Sequence, residues 1–187
     1  MRGRYPQAEV LRISAREGQG LDRWYAAISA EPGSQSPPEV DYDVYAEGEA
    51  LMGWLNGTAR HQAAEPMDGN QLLFELAGHI RRRMSADSIE IAHLKMTLTA
   101  DGDARHPVVL SLVSTAREPE LSGALEQRVS GGELVINLRA EAPPDALRLA
   151  VEGALAAGVA SGLIAVVRQL EHFRPGPPKP THRVDSV

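Results

Sequence analysis

Apolar and polar positions recur along most of this chain at one of two spacings, and each spacing predicts an element. Leu72, Leu73, Leu76, Ile80 and Met84 recur every three to four residues and predict an amphipathic helix. Asp68-Gly69-Asn70 supplies N-cap chemistry ahead of it, and Arg81-Arg82-Arg83 place cations toward its C-terminal end, where the helix dipole favours them. Leu147, Ala150, Val151, Ala154 and Leu155 mark a second helix, opened by Pro143-Pro144-Asp145 and expected to stop at Gly158. Strict alternation predicts a strand over Ile89 to Thr99, followed by a turn at Asp101-Gly102-Asp103 and a second strand over Val108 to Val113. Gly131-Gly132 precede a third strand, Leu134 to Arg139, and Leu163 to Leu170 reads as a last one. Another strand is expected around Ala50 to His61. Near the start, Glu9 to Ile13 reads as a short strand and Ser14 to Gly20 as a loop. Leu21, Trp24, Tyr25 and Ile28 then share one face of a short helix.

Punctuation divides these elements. The segment EPGSQSPP, Glu31 to Pro38, has linker composition. The chain is therefore read as residues 1–30, a strand–loop–helix; 31–39, a linker; 40–172, a complete domain; and 173–187, a tail. Pro175, Pro177, Pro178 and Pro180 favour extended polyproline II conformation in that tail. The domain has the order β-α-β-β-β-α-β. Two main helices and a mostly antiparallel sheet predict an α+β two-layer sandwich, ferredoxin-like with one extra strand.

Composition narrows the function. Hydrophobic residues are 43% of the 187, but aromatics only 4%, so the core must rest on aliphatic side chains. The net charge of −6 argues against broad nucleic-acid binding, which needs a basic surface. With no cysteine, the chain contains no disulfide, thiolate metal site or thiol nucleophile. The polar start, Met1 to Pro6, has no apolar segment behind it, and a cytoplasmic protein is expected. Leu149 to Val167 is long and apolar but carries Glu152, Gly153, Gly158 and Gly162, so it reads as helix, turn and strand and not as a membrane span. His61, His79, His93, His106, His172 and His182 form no H-x-x-x-H pair; His93 with His172 is the one composite metal site considered. Ser111, Ser114 and Ser130 lack a G-x-S-x-G context, and Arg81 to Arg83 read as a solvated helix end. A small enzyme built on His93 and Lys95 has no supporting spacing.

The segment Val10 to Trp24, VLRISAREGQGLDRW, carries the most specific pattern. Ser14-Ala15-Arg16 followed by Gly18-Gln19-Gly20-Leu21-Asp22-Arg23-Trp24 resembles the last strand–loop–helix of a P-loop GTPase. Small residues there let backbone amides approach a planar base, and glycines permit the turn into the helix. Val40 to Ala50, Ile91 to Met96, and Phe173 to Arg183 extend the resemblance to the C-terminal part of CobW-like GTPases, kin of the UreG and HypB metal-insertion proteins. The resemblance implies a GTP-binding parent that acts in metal delivery or metallocofactor assembly of the cobalamin type, with an unspecified metal. It places Ser14, Ala15 and Arg16 at the guanine, and implies the parent's G domain or a client metalloprotein as partner, with neither membrane nor nucleic acid expected. The sequence contains no G-x-x-x-x-G-K-[ST], no Asn-Lys-x-Asp and no cysteine metal motif, so those parts would lie ahead of Met1 and no catalytic residue is assigned. The face of Leu21, Trp24, Tyr25 and Ile28 would then need cover from the second domain or from a second copy in a homo-oligomer. The alternative is a free-standing α+β interaction or ligand-binding protein.

A chain beginning at Val40 is expected to fold by itself, because Pro/Ser/Gly stretches such as Glu31 to Pro38 mark domain boundaries. Limited proteolysis should cut within that stretch, and the remaining fragment should unfold in one cooperative transition. An insoluble or non-cooperative fragment would join the first thirty residues to the same core.

Overall fold

The computed structural model describes residues 9–15, 17–30, 51–159 and 162–176. The chain divides into two compact units, Met1–Glu39 with Arg183–Val187, and Val40–His182. Arg16, the expected linker Glu31 to Pro38 and the segment Val40 to Ala50 lie outside the described residues, as do 177–187.

In the first unit the described residues include one helix, α1 (Leu21–Ser29), which begins after Gly20, whose φ of 74° lies in the left-handed region that glycine tolerates best. Residues 9–13, expected as a strand, are not one; Ser14 and Gln19 form an isolated antiparallel bridge instead. A strand is held by a neighbour's ladder, and among the described residues none runs beside this segment. No residue of α1 is buried, and Tyr25 and Ile28 are exposed.

The second unit contains β1 (Gly53–Met67), α2 (Gly69–Ala86), β2 (Ile91–Ala100), β3 (Val108–Leu112), β4 (Glu120–Ser122), β5 (Val129–Ala140), α3 (Pro144–Val159) and β6 (Leu163–Phe173). The six strands form one sheet in the order β4-β3-β2-β5-β1-β6, antiparallel at every pairing. Omitting β3 and β4 leaves β-α-β-β-α-β with the β6-β1-β5-β2 order of a ferredoxin-like fold. The expected α+β two-layer sandwich is therefore the observed one, with two additional strands on one edge in place of one. β4 has only three residues after Pro119, too few to show a period of two.

The helical faces read from the sequence are the buried ones. Leu72, Leu73, Leu76, Ile80 and Met84 of α2 join Leu147, Ala150, Val151, Ala154 and Leu155 of α3 over Leu55, Leu94, Leu98, Leu134 and Leu138 of the sheet. The Asp68 side chain accepts the Asn70 and Gln71 amides at 2.8 and 3.1 Å, capping α2. Asn70 also donates to the Leu125 carbonyl and accepts its amide, pinning the β4–β5 loop to that helix start. α3 continues one residue past Gly158, and the left-handed glycine in the following turn is Gly162, with φ 85°. Leu149 to Val167 thus resolves into helix, turn and strand, and no helix among the described residues is long and apolar enough to cross a membrane.

Gly131 and Gly132 lie inside β5, not before it. A Cβ at Gly132 would come within 2.5 Å of the Thr99 carbonyl oxygen and 2.7 Å of His61 Cε1. Gly153, on an exposed turn of α3, has nothing within 4 Å of the corresponding point. Gly132→Ala is therefore expected to cost about 1–3 kcal/mol by overpacking. Gly153→Ala should stabilise by about 0.5–1 kcal/mol through helix propensity. Thermal melting of the two variants tests both signs.

Candidate functional site

Among the described residues both helices of this unit lie on one face of the sheet, so the strand residues between the core positions stand on the other, the helix-free face. Because Leu55, Leu94 and Leu138 point into the core, their neighbours Trp54, His93 and Arg139 point to the helix-free face. The antiparallel register aligns His93, Arg139, Trp54 and Phe173 in one rank across β2, β5, β1 and β6. The next rank on the same face runs Glu120, Ser111, Lys95, Asn137, Asn56 and Glu171 across the six strands.

Contacts within these ranks are close. The Arg139 guanidinium carbon stands 3.8 Å from the centre of the Trp54 ring, within cation–π range. The Trp54 and Phe173 rings are 6.0 Å apart and tilted by 45°. Asn137 Nδ2 donates to Asn56 Oδ1 at 2.8 Å. Lys95 and Arg139 are exposed, and neither pairs with a carboxylate among the described residues. The His93 pKa is lowered, first by desolvation and then by the charges of Arg139 and Lys95. Farther along the face, Arg60 and Asp101 form an ion pair at 2.5 Å, which holds the Asp101 carboxyl below its ordinary range. The face is therefore polarised, with unpaired cations beside the aromatics at one end and a neutralised pair at the other.

Other clusters have structural explanations. Glu90 accepts from the Ser114 hydroxyl at 2.7 Å and from the Thr115 amide at 3.1 Å, and Thr115 Oγ1 donates to its second oxygen; these bonds lower the Glu90 pKa and tie the segment after β3 to the start of β2. Arg81 reaches the Arg117 carbonyl and Glu118, both at 2.8 Å, while Arg83 pairs with Asp87 at 3.0 Å. A groove of about 350 Å³ between α2 and α3 is lined by Phe74, His79, Arg82 and Ala154 among others. A larger one, about 880 Å³, lies against the β4–β5 loop and is lined by Gln62, Asp101, His106, Arg128 and Gly131 among others.

The residues considered from sequence are placed as follows. The Ser14 hydroxyl accepts the Glu17 amide at 3.2 Å, and the Ser14 amide donates to the Gln19 carbonyl at 2.9 Å, closing a tight loop that includes Ala15. Arg16 lies outside the described residues. His93 and His172 do not come together. Two strands separate theirs, and His172 turns to Asp145 at the start of α3, 3.3 Å away, while His93 stands on the opposite face. No cluster of three or more metal-ligating side chains occurs among the described residues. Local sequence does not single out Trp54 or Arg139; only their parity relative to Leu55 and Leu138 carries the signal. Comparison of the chain with family models, with curated proteins and with solved structures returns no match.

Among the described residues His61 is the one buried polar side chain, 1% exposed, and neither ring nitrogen meets a hydrogen-bond partner. Desolvation lowers its pKa; the adjacent Gly132 backbone and Asp101 act in the opposite direction without offsetting it. The folded state therefore holds the ring neutral, while the unfolded chain protonates near an ordinary value of about 6.5. Stability contributed by the neutral ring is fully present above that value and is lost as pH falls below it toward the folded pKa. His61→Leu should flatten the dependence of the melting temperature on pH between about 7 and 5, and should stabilise by about 1–3 kcal/mol by removing an unsatisfied buried group. An unchanged pH slope in that variant would place the acid sensitivity elsewhere.

Proposed function

We propose that this chain is a non-catalytic C-terminal module of a CobW-like GTP-binding protein engaged in metal delivery or metallocofactor assembly. The observation that carries this reading is the glycine-bearing loop from Ser14 to Gly20 feeding directly into α1. Gly18 and Gly20 both have positive φ, and a Cβ at Gly20 would come within 2.5 Å of the Arg12 carbonyl oxygen. The exposed apolar face of α1, with Trp24, Tyr25 and Ile28, also supports the reading, since a helix of a G domain packs such a face on its sheet. The βαββαβ unit that follows would relay the nucleotide state to a client. A second reading, a free-standing α+β ligand-binding protein, is favoured by the second unit's own core and its polarised sheet face.

The coding DNA directly upstream of Met1 decides between them: an in-frame G-x-x-x-x-G-K-[ST] and Asn-Lys-x-Asp are expected. The chain by itself should hydrolyse no GTP, because it has no such phosphate loop or Asn-Lys-x-Asp to position the nucleotide. Turnover above a buffer blank, or an upstream region without both motifs, would overturn the first reading.

A further inference from the structure

We propose that the helix-free face around Trp54 and Arg139 binds a mononucleotide, its base stacked on the Arg139–Trp54 pair and its phosphate held by Lys95, Arg139 and His93. This goes beyond the function proposed above and makes no use of the Ser14 loop.

The chemistry follows from the two ranks. The Arg139 guanidinium, 3.8 Å from the Trp54 ring centre, is itself a flat cation, and planar aromatic rings stack on guanidinium planes and on indoles. The exposed Phe173 ring flanks it and widens the apolar platform. Lys95 and Arg139 supply positive charge and form no ion pair with a carboxylate among the described residues, and His93 stands in the same rank as Arg139. In the rank of Lys95 the acids stand at the two ends, Glu120 two strands away beyond Ser111 and Glu171 three strands away, where it already accepts the Gln169 amide at 2.9 Å. An anion at Lys95 and Arg139 gains charge-assisted hydrogen bonds there. Between phosphate and base, the Asn56–Asn137 pair leaves the Asn56 amide nitrogen and one Asn137 amide hydrogen free to read a base edge.

Size and charge select a single nucleotide over a polymer. Four strands at about 4.8 Å spacing give a platform roughly 14 Å wide, enough for one base with its phosphate. The net charge of −6, and the pairing of Arg60 with Asp101 farther along the face, provide no cationic track for a longer strand.

Trp24→Phe in the full chain leaves Trp54 as the single tryptophan reporter on this face. AMP, inorganic phosphate and a short single-stranded oligonucleotide are then titrated in low salt. AMP should change Trp54 emission saturably, with a Kd of about 0.1–1 mM. Inorganic phosphate should bind at least about tenfold more weakly, since it lacks a ring. R139Q and K95Q should each weaken AMP by about tenfold. K95Q leaves the Arg139–Trp54 contact in place, so its effect separates lost binding from lost packing, and melting curves check that each variant is folded. The proposal fails if AMP produces no saturable change up to about 10 mM, or if phosphate binds as tightly as AMP. It also fails if K95Q binds AMP like the parent, or if the oligonucleotide binds where AMP does not.

Discussion

Burial of one sheet face beneath α2 and α3 is the constraint from which the rest of this structure follows. The aliphatic side chains of the two helices remove Leu55, Leu94, Leu98, Leu134 and Leu138 from water. At roughly 25 cal/mol per Å² of apolar surface, this layer is the main source of stability in a chain with so few aromatics. It also fixes the parity of every strand. A slip of one residue would turn a strand's leucines to solvent and its polar residues into the core. Trp54, His93, Lys95 and Arg139 therefore share the opposite face because their neighbours are committed to the core.

The same layer explains the two irregular features beside it. β5 crosses the sheet close to β2 and β1 at Gly131 and Gly132, where a side chain would meet the Thr99 carbonyl, Asp101 or the His61 ring. Glycine there is a packing requirement, not a turn signal. The space it opens admits His61, an imidazole on the core face of β1 with no partner for either nitrogen. A polar ring in an apolar layer is tolerated while neutral and resisted when charged, so the interior is sensitive to acid although its ion pairs lie at the surface.

The two units contribute differently to function. The loop and helix of the first unit have glycines at the positive-φ positions and no buried residue in the helix. The second unit is self-sufficient in its core and keeps its chemistry on the sheet, where cations and aromatic rings gather at one end. Among the described residues no cluster of three or more metal-ligating side chains accompanies them.

Much of the fold was legible from the chain alone. The 3.6-residue period of Leu72 to Met84 and Leu147 to Leu155, the cap at Asp68, and the alternation of Ile91 to Ala100 each express a local preference that the final structure obeys. From these the two-layer α+β architecture follows. What failed were elements that depend on distant partners. Residues 9–13 have a strand's composition but no neighbour among the described residues, and β4 is too short to announce itself and exists through its pairing with β3. The candidate site belongs to the same class. Trp54 and Arg139 are far apart in the chain and meet only because β1 and β5 pair in one register. A periodic pattern states which face a side chain takes, but not which strand lies beside it. Strand order and register come from closing the whole sheet over one core, and so the sequence determined the elements and their buried faces, while the tertiary structure alone decided that a histidine, an arginine, a tryptophan and a phenylalanine stand in one rank.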